Sequence, residues 1–453
     1  MPESTGLLLG AQMDLPEKLH AEQFTLSNGM GVVVCPRPHL HRISMMLNIN
    51  AGCRDETKNG TAHMLEHLIF RGTDAYPSLR ALSEAFETRG ADFNAFTARE
   101  GTSFEIVTPP ESLDEVLELL GDALLRPKLT GISAERDIIR EEILADYDND
   151  GKLINEEDLL IEAFYGPAGQ PIAGNPEDLD KITKDDVLDF YDQNYRAQRM
   201  TLVVVGPISN TKHLLHAVSH AFADIKPQVS PRAMRPMTPE YFHAIQPNAA
   251  RGSLPKPKLL YRLNEGATQS EITLGFLCSS VKTREFYVLS MLSRVLDDGM
   301  ASRLSRRLIE ELAIVYDAEA CLSVTAESTL LQIRASCRHR RVPKLISSVY
   351  ELLAQIAKDG IDDEEFDRIK RRVIWEHRAL LDGGASLCSW ISSMLMQDMT
   401  TEPASFCADL LEVRQDEIQQ IAHKLLDERP HIVSIVGELG QKTLDAVKSL
   451  VEK

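Results

Sequence analysis

Cysteine is scarce and shows no pairing pattern: the 453-residue chain has seven, scattered, with no C-x-x-C among them. An odd, dispersed set excludes a disulfide framework and a cysteine-built zinc site. It suits buried free thiols in a reducing compartment, so a cytoplasmic location is expected. Long apolar runs are missing too, and nothing approaches the roughly 20 residues needed to cross a bilayer. The opening MPESTGLLLGAQMDLPEKL has no basic n-region, and its apolar run is too short for a signal peptide. Positive charge is in deficit. With 49 Lys and Arg against 68 Asp and Glu, the net charge of -19 argues against nucleic acid or an anionic membrane as partner. The shares of hydrophobic (43%) and charged (26%) residues are those of a globular protein, which excludes disordered and fibrous architectures.

A length prior of about 150 residues per domain suggests three units, but the internal pattern suggests two. Residues 226–258 are dense in proline and lack helical or strand periodicity, so they read as a linker between units at 1–225 and 259–453. RMTLVVVG, ending at Gly206, and RPHIVSIVG, ending at Gly437, are short β-branched runs closed by glycine. RISMMLNINAG and SEITLGFLCSS are strand-like runs near the start of each unit, each followed by long helical patterns. The expected fold class is α+β: two tandem units of like topology, each a mainly antiparallel sheet covered by helices. In the first unit, TLSNGMGVVV reads as a hairpin turning at Asn28-Gly29. Ser112 and Glu115 form a capping-box pattern for a helix that ends before Pro127. SLRALSEAFETRG reads as a helix and TSFEIVT as a strand.

GTAHMLEHLIFRGT, residues 60–73, places His63 and His67 one helical turn apart around Glu66 in an otherwise apolar stretch. Side chains four apart on a helix share a face, with bases about 5–6 Å apart, so both imidazoles can converge on one ion. Glu66 on the same face is placed to take a proton from water activated by that ion, while Met64, Leu65, Leu68, Ile69 and Phe70 pack the helix and keep the site dry. With histidine at 13 of 453 positions, H-x-x-E-H arises by chance about 0.03 times in such a chain. The pattern therefore stands well above an inert, hydrogen-bonded histidine pair. A catalytic zinc takes three protein ligands. SAERDIIREEILADYDND offers Glu135, Glu141 and Glu142; the first and last are two turns apart on one face, Glu141 is rotated away, and the spacing leaves the choice of ligand open.

From this point the chain resembles the pitrilysin-insulinase family of zinc metallopeptidases, in particular its short two-domain members. The resemblance runs through LSNGMGVVV, GCRDETKNGTAHMLEHLIFRGT, ADFNAFTAREGTSFEIV, ERDIIREEI, AGQPIAGNPEDLDKITKDDVLDFYDQNY and MTLVVVG. It implies a Zn2+ cofactor, with His63, His67 and Glu142 as metal ligands and Glu66 as general base. It makes Glu135 a carboxylate that orients a ligand histidine, and Asn94 a residue that holds substrate backbone beside an edge strand, where main-chain pairing gives affinity. On the residues alone Asn94 would read as a turn residue.

In the second unit, DDGMASRLSRRLIEELAIVYDAEA resembles a family segment whose tyrosine helps bind the tetrahedral oxyanion, which falls on Tyr316; the alternative is a core tyrosine. Seven residues earlier the family carries a substrate-gripping arginine, and here Ile309 stands. Either Arg306, one turn before, substitutes for it, or a second, non-zinc subunit supplies the arginine and tyrosine, which is the favoured expectation. The implied function is a zinc endopeptidase acting on short or unfolded peptides, as a homodimer or heterodimer. One alternative is the zinc-bearing subunit of a heterodimer that removes leader peptides from ribosomally made natural products. Another is a non-catalytic partner subunit, disfavoured because H-x-x-E-H is intact. His39 and His41 read as surface residues, and the CRHRR cluster at 337–341 as a solvated turn.

Overall fold

A computed structural model of the chain describes residues 14–227 and 257–452. Residues 228–256, nearly all of the expected linker, lie outside the described residues. The first sheet comprises β1 (Glu22–Thr25), β2 (Gly31–Pro36), β3 (Ile43–Ile49), β4 (Asp92–Thr97), β5 (Thr102–Thr108) and β6 (Met200–Gly206), in the order β1-β2-β6-β3-β5-β4. The second comprises β7 (Lys258–Leu263), β8 (Ser270–Cys278), β9 (Ala318–Val324), β10 (Thr329–Cys337) and β11 (His431–Gly437), in the order β7-β11-β8-β10-β9. Without β1 the two orders are the same. Each sheet is antiparallel except for one parallel pair, β2 with β6 and β7 with β11. Those pairs are parallel because β6 and β11 each return after a run of helices, the kind of long crossover that parallel pairing requires.

The helices repeat as well. Between β5 and β6 lie Leu113–Leu125, Ile132–Glu142, Glu156–Tyr165, Pro176–Lys181 and Lys184–Asn194; between β10 and β11 lie Val342–Asp359, Asp363–Ala379, Gly384–Met396, Pro403–Leu411 and Gln415–Asp427. The third helix of each series crosses to the other sheet. Leu160, Phe164 and Tyr165 pack on Leu277, Leu330 and Ile432 of the second sheet. In return, Leu387, Cys388 and Ile391 pack on Val33, Met46 and Val203 of the first. Central strands are thus buried on both faces, as in β3 and β11, where every residue is buried. This is why they read as continuous apolar runs instead of alternating ones. The two α+β units are therefore present in strand order, but each sheet wears one helix from the other half.

Local structure departs from the expected pattern in two places. Ser78 caps the helix Leu79–Thr88, accepting from the Ala81 amide, and Gly90 follows its end at φ +65°. Ser112 does stand before Leu113, but its side chain makes no capping bond, and the Glu115 carboxylate instead accepts from Arg89 Nε at 2.6 Å. At the β1–β2 turn only Gly29 is left-handed (φ +94°); Asn28 serves through its side-chain oxygen, which accepts from the Met30 amide at 3.0 Å. All seven cysteines are free, six of them buried. Among the described residues no helix is long and apolar enough to cross a membrane.

At the crossing, β8 approaches Glu156–Tyr165 so closely that a Cβ on Gly275 would meet Leu160 Cδ2 at 2.7 Å and Phe164 Cε2 at 3.1 Å. Gly275→Ala should therefore destabilise the chain by about 1–3 kcal/mol through overpacking. In urea unfolding, Leu160→Ala should recover part of that loss, so that the pair costs less than the two single changes added together.

Candidate metal centre

The helix Thr61–Ile69 is buried along its whole length except at half-buried His67. Its apolar residues meet the sheet, and Phe70, just past its end, stacks on Phe93 of β4 with ring centroids 4.8 Å apart. The start of the helix is fixed by a buried carboxylate. Glu56 accepts from the Gly60 amide at 2.9 Å and the Ala62 amide at 2.8 Å, which places negative charge at the positive helix end. Gly60 is left-handed (φ +88°), and a Cβ there would meet the Ala173 carbonyl at 2.8 Å, so glycine is required on both counts.

The helix Ile132–Glu142 lies alongside, with Glu135 and Ile139 buried. Its last residue, Glu142, turns both carboxylate oxygens toward the histidines: His63 Nε2 to Glu142 Oε1 is 3.6 Å, and His67 Nε2 to Glu142 Oε2 is 3.6 Å. The three ligand atoms lie within 4.8 Å of one another, and no other group of three His, Cys, Asp or Glu does so among the described residues. A tetrahedral ion with bonds of about 2.0–2.1 Å has edges of roughly 3.4 Å, so this donor set fits zinc in size and chemistry. Of the carboxylates that spacing left open, one lies with the histidines. Glu142, itself exposed, faces both imidazoles, Glu141 is not in the converging set, and Glu135 accepts from His67 Nδ1 at 3.1 Å. That bond fixes the tautomer which leaves Nε2 free to coordinate.

Burial sets the electrostatics. Desolvation, with the neighbouring His67 adding to it, pulls the His63 imidazole down to about 4, so at neutral pH it presents a lone pair and not a proton. Burial likewise pushes the Glu66 carboxyl above its ordinary range, against the pull of the Thr97 hydroxyl, which donates to Glu66 Oε2 at 2.6 Å. Such a carboxylate is a stronger base than a solvated one.

Three residues of this centre went unread in the sequence: Glu56, Thr97, and Arg71, which pairs with Glu135. Thr97 had a signal, since strand alternation turns Phe93 and Thr97 to one side of β4 and exposed Asn94 to the other. Arg71 and Glu56 had none, because their partners are far off in sequence or main-chain amides. β4 ends the sheet, pairing with β5, and among the described residues no strand pairs with its outer edge. Tyr316 is 96% exposed at the entry to β9, so it is not a core tyrosine. Arg306 sits exposed on a seven-residue π-helix, Ser305–Glu311, with Glu311 4.0 Å from its Nε. No hydrogen bond or ion pair among the described residues joins either to the histidine set. Ile309 is half-buried and packs against the core of the second half, which accounts for an apolar residue there. His39 and His41 are exposed, and in the 337–341 cluster His339 is tied to Ser270 and to the Ala267 carbonyl while the three arginines face solvent.

The duplicated fold, with its donor set in the first unit, has counterparts among known proteins. Residues 32–175 match the family model described as insulinase (peptidase family M16), and residues 181–373 match the one described as the peptidase M16 inactive domain. The chain belongs to the M16 peptidase family. An uncharacterized zinc protease of Mycobacterium leprae is 26% identical over 439 residues, 93% of this chain and 92% of that protein. A probable mitochondrial-processing peptidase subunit beta of Schizosaccharomyces pombe is 31% identical over 227 residues, 48% of this chain and 49% of that one. A crystal structure of a protease from Helicobacter pylori superposes with a TM-score of 0.82 at 20% identity, covering 94% of this chain and all of the other, and so shares the fold.

The depressed His63 has a consequence for the metal-free chain. Its unfolded form binds a proton near pH 6.5 and its folded form near 4, so stability is unaffected above that window and falls as pH drops through it, by at most about 3 kcal/mol. Urea midpoints of the chelated chain should decline between pH 6.5 and 4, and His63→Gln should flatten that decline.

Proposed function

We propose that the chain is a zinc metalloendopeptidase that hydrolyses peptide bonds in short or unfolded peptides. The observation that carries this reading is the convergence of His63, His67 and Glu142 beside a buried, basic Glu66. A zinc ion held by those three residues supplies the Lewis acidity that makes water nucleophilic near neutral pH and polarises the scissile carbonyl. Glu66 removes the proton as the water oxygen bonds to the carbonyl carbon, then gives it to the leaving nitrogen as the C–N bond breaks. Glu135 holds His67 in its coordinating tautomer. The open edge of β4 near Asn94 pairs with the peptide main chain. Residues 1–225 act as the metal-bearing domain and 259–453 as its M16-like companion, with 226–258 between them.

Relatives named as zinc proteases support the metal, and the free thiols support a cytoplasmic setting. The apolar surroundings of Ile309 and the lack of any tie from Tyr316 or Arg306 to the histidines support a second subunit that supplies the missing arginine and tyrosine. A relative named as a peptidase subunit is consistent with a heterodimer, in which leader-peptide removal is one fitting task.

With the second subunit present, the zinc-loaded chain should cleave a quenched fluorescent peptide mixture about 10²–10⁴ times faster than Glu66→Gln, which keeps its metal; equal rates in the assembled pair would overturn the reading, and equal rates in the chain alone would mean that the missing half of the site comes from the partner. Ile309→Arg should lower stability without raising the rate. A large gain in the isolated chain would show that no partner is needed.

A further inference from the structure

We propose that Thr97 is a positioning residue, tying Glu66 to the strand on which a peptide would lie; the inference rests on the peptidase reading above. Thr97 closes β4, whose far edge pairs with no other strand among the described residues. Alternation along the strand sends Phe93 and Thr97 toward the histidine helix, and Phe93 is locked there between Phe70 and Phe86, each ring centroid 4.8 Å away. The strand is thus immobilised against the helix through its aromatic neighbour, and the Thr97 hydroxyl adds a charge-assisted bond of 2.6 Å to Glu66 Oε2.

Glutamate has three side-chain rotors, and Glu66 stands on the buried face of its helix. The hydroxyl removes that freedom and selects one carboxylate position. It does so from the same backbone that offers its edge to an extended chain. A peptide paired with β4 is fixed in register against that backbone, and Glu66 is fixed against it too. Thr97 therefore turns strand pairing into alignment of base and scissile bond. Misplacing such a group by about 1 Å typically costs on the order of 10²-fold in rate. Removing the hydroxyl should weaken turnover and leave peptide affinity alone, because the edge of β4 is untouched.

Thr97→Val keeps the branched shape and deletes only the hydroxyl; Thr97→Ser keeps the hydroxyl. In the full zinc-loaded chain, kcat, KM, zinc affinity by chelator competition and thermal midpoint are measured for both. Thr97→Val should lose about ten- to a hundredfold in kcat with KM, zinc affinity and midpoint unchanged, and Thr97→Ser should stay near wild type. In the Glu66→Gln background Thr97→Val should add nothing, since the residue acts through Glu66. A wild-type rate for Thr97→Val, an equal loss in both variants, or an additive loss beside Glu66→Gln would overturn the proposal. A crystal structure of Thr97→Val supplies a readout independent of activity: a displaced Glu66 carboxylate is expected, and an unmoved one refutes the assignment. If wild type and Glu66→Gln cleave equally slowly even with the second subunit present, the peptidase reading fails, while the crystal structure of Thr97→Val still decides on Thr97.

Discussion

A sheet whose central strands are apolar on both faces has to be covered twice, and that requirement organises this molecule. Each half carries enough helices to cover one face of its own sheet, and the second face is closed by a helix from the other half. The reciprocal closure also brings the turn between β9 and β10 against the turn between β4 and β5. There the buried Arg54 guanidinium takes both oxygens of Glu327 at 2.7 and 2.8 Å and pairs with Glu100, whose carboxylate accepts the Ala326 amide. Burying such charges adds little net stability, but losing one partner strands the others. Arg54 stands two residues before Glu56, the carboxylate that fixes the start of the histidine helix. Among the described residues the second half thus adds nothing to the converging donor set and still anchors the root of the helix that carries His63 and His67.

The chemistry of the centre follows from placing three ionisable side chains on a helix that is otherwise core. Burial keeps His63 neutral and makes Glu66 more basic, which a surface helix would not do. Polar neighbours then supply direction: Glu135 to His67, Thr97 to Glu66. Arg71 pairs with Glu135 and sets a positive charge beside the buried orienting carboxylate. Rigidity comes from packing and direction from hydrogen bonds, and both are set before any ligand arrives.

Much of this was legible in the sequence. The histidine helix announced itself because two imidazoles and a carboxylate in an apolar run are costly to bury unless they hold something in common. The duplication of the sheet followed from matching glycine-closed runs at Gly206 and Gly437. Glu142 could be separated from Glu135 and Glu141 only by analogy, because helical spacing gives a shared face and not the distance to a neighbouring element. Thr97 and Arg71 were missed for the same reason, since each acts across a gap that only the fold closes, and Glu56 was missed because its partners are main-chain amides, which carry no sequence signal. The exchange of helices left no mark at all. An amphipathic segment such as Glu156–Tyr165 carries the same pattern whichever sheet it covers.

That exchange also sets the order in which the chain can become whole as it is made. The first sheet is complete in sequence once β6 has left the ribosome, yet the face bearing Val33, Met46 and Val203 stays bare until Leu387 and Ile391 have been synthesised. At about 5–20 residues per second, that interval lasts on the order of ten to forty seconds. Throughout it, an apolar strip of finished sheet faces water. The long second half is therefore a delay as well as a cover, and a nascent chain needs protection during it that the finished molecule does not.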